Sequence, residues 1–173
     1  MRPIFGIWAI TLALLGCGSA RRWPLPVISH YDTRSIQGLA FDTTVARELM
    51  AMLDGSIRDS LEDARCLIGE LRSDTLQVIY AVRPNVHSRS DSTVTYACRN
   101  DRALIGRAHV HLRKGAFFSP MPSVPDIMEF YEDSETLVRL VVSESQHGTV
   151  LVVFAMRDGR TGYVEWHRSR LFR

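Results

Sequence analysis

Residues 103–112 read ALIGRAHVHL, and this stretch says most about the fold and the chemistry of the chain. Its apolar run and its alternation around His109 and His111 predict a β-strand. Successive side chains of a strand point to opposite faces, so histidines two positions apart project from the same face. Two neutral imidazoles on one face can bind one metal ion. An H-x-H pair is also a common coincidence of exposed residues, so its interpretation depends on the segments around it.

Segments of helical and of extended character lie on both sides of this strand. Upstream, the spacing of Val45, Leu49 and Leu53 predicts a helix whose start is capped by Asp42. A second helix is predicted over residues 123–131. Strand-forming residues are concentrated at 65–71, 75–82, 92–98, 137–142, 150–156 and 163–166. This order of elements predicts a mixed α/β domain with one sheet.

Three short segments contain residue types that bind metals or move protons. They read E-x6-G (Glu62, Gly69), G-x-x-H-x-H (Gly106, His109, His111) and P-S-x-x-D (Pro122, Ser123, Asp126). In this order and combination they resemble the JAB/MPN family of metallopeptidases, whose metal-binding signature is called JAMM. The resemblance extends over most of the chain after the N-terminal segment. It implies an MPN-like domain at residues 31–173, with a central mixed β-sheet flanked by helices.

The resemblance also implies a role for each matched residue. His109, His111 and Asp126 would bind Zn²⁺ and leave a fourth position for a water molecule, whose pKa zinc lowers towards about 7. Glu62 would be the general base and then the proton donor to the leaving amine. Ser123 would donate a hydrogen bond to the oxyanion. The expected activity is zinc-dependent hydrolysis of a peptide or isopeptide amide bond.

The chain departs from the family pattern after the second histidine. Leu112 stands where family members usually have proline, and the gap to Ser123 is longer than usual. Ser119 lies nearer to the usual position of the serine, but Pro122, three residues further on, cannot bind a metal. Taking Ser123 and Asp126 as the motif, with an insertion before them, keeps the ligand chemistry and the placement at a helix start.

Two alternatives remain open for these residues. Glu62 can be a solvated charge in an acidic patch, and Ser123 and Asp126 can serve only to cap their helix. The corresponding alternative function is a non-catalytic MPN-like binding or scaffold lipoprotein of the cell envelope. A zinc carrier is a weaker possibility, because the chain has no histidine-rich tract.

The N-terminal segment predicts export and anchoring to a membrane. Residues 1–16 combine an early positive charge with a short apolar stretch, which is typical of a signal peptide and too short for a transmembrane helix. The sequence LLGC at residues 14–17 resembles a bacterial lipobox, so we expect Cys17 to be acylated and residues 17–30 to form a tether. The alternative is an ordinary cleaved signal with an incidental cysteine.

Composition limits the partners. The net charge is +2, and the arginines are interleaved with acidic residues, so no nucleic-acid partner is expected. An envelope location favours a peptide or protein substrate such as a cell-wall peptide. Cys66 and Cys98 either form a disulfide or are two separate buried residues. The sequence leaves open the oligomeric state and which membrane holds the anchor.

Overall fold

The computed structural model describes residues 36–99, 103–113, 120–133, 136–145 and 147–168. Its elements are β1 (Gly38–Phe41), α1 (Thr43–Asp59), β2 (Ala64–Arg72), β3 (Thr75–Val82), β4 (Asn85–Arg89), β5 (Val94–Ala97), β6 (Leu104–Val110), α2 (Val124–Glu132), β7 (Val138–Glu144), β8 (Val150–Met156) and β9 (Thr161–Trp166). The predicted signal peptide, Cys17 and the tether lie outside the described residues, as does Ser119. Neither helix in the described part of the chain has the length and hydrophobicity needed to span a membrane.

Seven strands form one curled sheet, a half-barrel, in the order β1-β3-β2-β6-β7-β8-β9. The pairs β1–β3 and β6–β7 are parallel, and the other neighbours are antiparallel. Strands β4 and β5 form a separate two-stranded hairpin. The register of β2 shifts near Ile68 against both of its neighbours, and such bulges increase the local bend of a sheet.

The expectation of a mixed α/β domain with a sheet flanked by helices, as in an MPN-like fold, is wrong. Of the described residues, 47% lie in strands and only 22% in helices. The two helices also differ in how they contact the rest of the protein. Helix α1 buries a full apolar face, whereas α2 buries only Phe130. The described part of the protein is therefore a mainly β structure in which one helix packs on the sheet.

Helix α1 and one face of the sheet form the main core. The helix begins where the Asp42 carboxylate accepts hydrogen bonds from the backbone N–H and the hydroxyl of Thr44. It ends at Ser60, which adopts a left-handed conformation. Its buried apolar residues are Val45, Ala46, Leu49, Met50, Met52 and Leu53. They pack against buried residues of β2, β3, β6, β7 and β8, and each large side chain contributes about 1.5–3 kcal/mol.

The opposite face of the sheet carries the polar residues of the H-x-H strand. His109 lies opposite Ala64 of β2, and Arg107 lies between Cys66 of β2 and Arg139 of β7. Residues that are opposite in register share a face. This face is contacted by the β4–β5 hairpin, which a disulfide between Cys66 and Cys98 joins to β2. The disulfide resolves the question that the sequence left open.

Candidate metal centre

Strand β6 brings both histidines of the pair to the edge of the core. Gly106 allows β6 to lie close to β7, because a Cβ at this position would be 2.3 Å from the carbonyl oxygen of Val138. His109 is 3% exposed in the strand. His111 follows the end of the strand, and its backbone N–H donates to the carbonyl of Val142 at 3.0 Å. Pairing with β7 therefore continues past the strand and fixes the backbone of the second histidine.

Asp126 reaches the histidines from the first turn of α2. The Ser123 hydroxyl accepts from the backbone N–H of Asp126 at 3.3 Å, while Asp126 Oδ2 accepts from the Ser123 backbone at 2.8 Å and from its hydroxyl at 2.6 Å. This reciprocal capping box shows that the two residues do cap the helix. It also holds the Asp126 carboxylate in one orientation.

The three side chains converge on one point. His109 Nε2 and His111 Nε2 are 3.0 Å apart. His109 Nε2 is 3.1 Å from Asp126 Oδ1, and His111 Nε2 is 3.2 Å from Asp126 Oδ2. Ligand atoms on a tetrahedral zinc ion are about 3.3 Å apart, given bond lengths of about 2.0–2.1 Å. Two imidazoles and one carboxylate at these separations could hold a metal ion.

The protonation states of the cluster suit metal binding. Burial is the main cause that lowers the pKa of His109, so its imidazole is neutral near pH 7. Burial would raise the pKa of Asp126, but hydrogen bonds from His109 and His111 outweigh it and hold that pKa well below its usual range. A neutral imidazole and an ionised carboxylate are the forms that bind cations.

Glu62 lies just before β2, the strand that pairs with the H-x-H strand. The backbone N–H of Val110 donates to the carbonyl of Asp63 at 3.0 Å, which continues the antiparallel pairing of Ala64 with His109. Glu62 then falls opposite His111. Its side chain is buried, at 6% residue exposure, so the alternative of a solvated surface charge is wrong.

A cleft opens beside His111. Its volume is about 410 Å³, and it is lined by Leu53, Ile57, Ser60, Asp91, His111, Leu112, Arg113 and Glu144. A cleft of this size is in the range of ligand-binding pockets. It explains why Ile57, which the periodicity of α1 places with the core residues, is 43% exposed.

Three residues around the cluster were not found from the sequence: the buried Tyr96 and Arg139, and the half-buried Arg107. The arginines are register partners on β6 and β7, and the Arg107 guanidinium lies 5.8 Å from the centre of the Tyr96 ring. Burial raises the pKa of Tyr96 to about 12. Alternation from His109 would have placed Arg107 on the same face of the strand, but the sequence offers no such indication for Arg139.

Comparison with models of protein families finds no match, and comparison with curated proteins finds no relative. Among solved structures, the chain is similar to the solution structure of protein DSY2949 from Desulfitobacterium hafniense. The TM-score is 0.49 at 16% sequence identity, and the match covers 75% of this chain and 91% of that one. A likeness of this degree supports no statement about function.

Proposed function

We propose that this protein is a zinc-dependent hydrolase that cleaves a peptide or isopeptide amide bond. The observation that carries the proposal is the convergence of His109, His111 and Asp126 from two separate elements. Glu62 is buried, and we infer its position near His111 from the register of β2 against β6. Three protein ligands leave a coordination position open, which distinguishes catalytic zinc sites from closed structural ones. The resemblance to the JAMM signature rests on these same residues and remains part of the proposal.

Each residue has a distinct task in this reaction. A zinc ion held by His109, His111 and Asp126 would supply a water of lowered pKa and would polarise the scissile carbonyl. Glu62 accepts the proton of the attacking water and passes it to the leaving amine. The Ser123 hydroxyl, at the positive end of α2, donates to Asp126 Oδ2 in this structure and would have to turn from that carboxylate to donate to the developing negative charge. The cleft borders His111, one of the three candidate ligands, and would be the place where the substrate binds.

We further propose that the enzyme works in the cell envelope, anchored through an acylated Cys17. The Cys66–Cys98 disulfide supports this location, since disulfides persist mainly in oxidising compartments. Cell-wall peptides and exported peptides are the amide substrates available there.

The first experiment measures metal content in the chain that follows Cys17, purified without added metal and then after zinc addition. We expect about one zinc per chain in the wild type and a loss of binding in His109→Ala and Asp126→Ala. Substitution of the exposed His147 by Ala is the matched control and should leave the zinc content unchanged. A wild-type protein that takes up no stoichiometric zinc would rule out the proposed function.

A second experiment separates catalysis from metal binding. Glu62→Gln removes the base but keeps the size of the side chain, so we expect zinc content near that of the wild type and turnover of a peptide library reduced at least about 100-fold. Glu70→Gln changes a glutamate further along β2, where it pairs with Arg72, and should retain activity. Equal activity of Glu62→Gln and wild type would contradict the role of Glu62.

A non-catalytic binding or scaffold protein is the second candidate. The observation that favours it is an apolar stripe on α2: Val124 is 75% exposed, Met128 57% and Tyr131 54%. Exposed apolar patches of this kind often bind partners. In that case the Glu62→Gln variant would bind its partner as well as the wild type, and Met128→Ser would bind it less.

A further inference from the structure

Helix α2, which supplies Asp126, has few apolar contacts with the sheet. Phe130 is its only buried residue. Charged contacts replace the missing apolar ones, because Arg107 and Arg139 extend from β6 and β7 towards the carboxylates of the helix. Arg107 lies 3.0 Å from Asp133 and 3.7 Å from Glu129. The position of Asp126 therefore depends on arginines beneath the helix.

Arg139 is the arginine nearest to the metal-binding cluster. Its side chain is 5% exposed, and its Nη2 donates to Glu129 Oε2 at 2.7 Å and to Asp126 Oδ1 at 3.5 Å. Asp126 and Glu129 are separated by three residues, so they lie on the same face of α2. One guanidinium nitrogen thus connects the candidate ligand Asp126 to a second carboxylate on the next turn.

The hydrogen bonding of Arg139 is incomplete for a buried charge. Its Nε and Nη1 have no hydrogen-bond partner among the described residues. Burying a charge is costly unless its hydrogen bonds are satisfied, and a well-packed apolar residue often stabilises a protein more. A contribution to stability therefore does not account well for an arginine at position 139. Its contact with the carboxylate of the candidate ligand Asp126 accounts for it better.

We propose that Arg139 is a positioning residue for the metal centre and that Glu129 is the counter-charge that makes this possible. Arg139 fixes the Oδ1 side of Asp126, while Ser123 holds Oδ2. Without Glu129, the guanidinium would pair fully with Asp126 and compete with the cation for Oδ1. Because Glu129 is present, Arg139 makes its short hydrogen bond to Glu129 Oε2, at 2.7 Å. Its distance to Asp126 Oδ1 is longer, at 3.5 Å.

This inference rests on the proposed metal centre, and its test is the zinc affinity of the full chain, measured by competition with a chromogenic chelator. Loss of an outer contact to a metal ligand typically lowers metal affinity about 10- to 100-fold. We expect a weakening in this range for Arg139→Gln and for Glu129→Gln, and a smaller one for Arg139→Lys, which keeps the charge but not the planar fork.

Glu129→Gln is the decisive variant, because the Glu129 side chain is 53% exposed and glutamine keeps its size and an acceptor oxygen for Arg139. Glu132→Gln removes the same charge from an exposed position of the same helix and is the matched control, with affinity expected within about 3-fold of wild type. The cobalt-substituted proteins add a spectroscopic readout of ligand geometry. We expect the visible absorption of Glu129→Gln to change and that of Glu132→Gln to match the wild type.

The outcomes distinguish this inference from the function on which it rests. Zinc binding by the wild type with unchanged affinity in Glu129→Gln would overturn the role of Arg139 and Glu129 alone. An equal loss of zinc affinity in Glu129→Gln and Glu132→Gln would show a general electrostatic effect of the helix charges. That result would also overturn the role of Arg139 and Glu129. Absence of zinc binding in the wild type would overturn the proposed function and this inference together.

Discussion

The absence of a side chain at Gly106 allows the neighbouring strands β6 and β7 to pack closely. At Gly106 a Cβ would lie 2.3 Å from the carbonyl oxygen and 2.6 Å from a methyl group of Val138. At Gly55, inside α1, the nearest atom to a Cβ would be 3.7 Å away, at the flexible end of Arg58. The same substitution therefore has opposite expected effects at the two glycines.

We predict that Gly106→Ala lowers the free energy of unfolding by about 1–3 kcal/mol, since strands β6 and β7 must separate to admit the methyl group. Gly55→Ala should raise it by about 0.5–1 kcal/mol, because alanine favours the helix. Urea denaturation of both variants and the wild type gives the comparison. A Gly106→Ala protein as stable as the wild type would show that this close approach is not required.

The protonation of His109 predicts how stability of the metal-free protein depends on pH. Because burial lowers the pKa of His109 in the folded state, the unfolded chain binds this proton first as the pH falls. Stability should therefore decline from about pH 6.5 downward, until the folded-state pKa is reached. Denaturation in the presence of a chelator between pH 7.5 and 5 measures the slope.

His109→Gln should flatten that slope, whereas His147→Gln, which removes an exposed histidine, should not change it. Asp126 contributes in a separate window, because its lowered pKa makes stability fall only as the pH drops below about 3.8. An identical pH dependence in His109→Gln and the wild type would contradict a buried neutral imidazole at this site.

At the scale of elements, the C-terminal end of α2 depends on Arg157, which follows β8. Its guanidinium donates to the carbonyls of Phe130 at 2.9 Å and Thr136 at 2.8 Å, and also to the carbonyl of Asp133. It lies 5.1 Å from the centre of the Phe130 ring. A positive charge at a helix C-terminus also interacts favourably with the helix dipole.

We predict that Arg157→Gln destabilises the protein by about 1–3 kcal/mol, because half-buried carbonyls lose their donors. Hydrogen exchange of the α2 amides should increase more than that of α1. Arg160→Gln, which removes an exposed arginine paired with Asp158, is the control. Equal exchange rates in α2 for Arg157→Gln and Arg160→Gln would show that the apolar contact of Phe130 is enough to hold the helix.

The sequence predicts most elements but not the way in which α2 packs. Strands β3 and β8 have the predicted bounds, and the caps at Asp42 and Ser123 are confirmed. The short strands β1 and β4 were missed, because four or five residues carry too little alternation. The apolar residues of α2 have helical spacing, yet Val124 and Met128 are exposed, since periodicity cannot say whether an apolar stripe meets a core.

The candidate site could be predicted further than the fold. The H-x-H spacing predicted that both histidines share one face, because this depends on local geometry, whereas Asp126 was joined to them only by the resemblance to the JAMM signature. The structure brings the three side chains together. Arg139 could not be found in this way. Its contact with Asp126 depends on the parallel pairing of β6 with β7, a long-range feature that no local pattern contains.

At the scale of the whole molecule, the Cys66–Cys98 disulfide joins β2 of the large sheet to the end of the hairpin, across a sequence separation of 32 residues. Closing a loop of this length is worth about 3–4 kcal/mol in the chain-entropy model. We predict that Cys66→Ala/Cys98→Ala unfolds at a correspondingly lower urea concentration, and that a phosphine reductant lowers the midpoint of the wild type but not of the variant. A midpoint unchanged by reduction would contradict a stabilising disulfide.

The same disulfide makes the segment from Cys66 in β2 to Cys98 after β5 a covalent ring within the chain. A protease that cuts this ring once, for instance at the exposed Arg89, produces two polypeptides that stay attached to each other. Such a nicked molecule would keep its apparent size until it is reduced. A single cut in the hairpin would therefore not by itself release either of its strands from the rest of the protein.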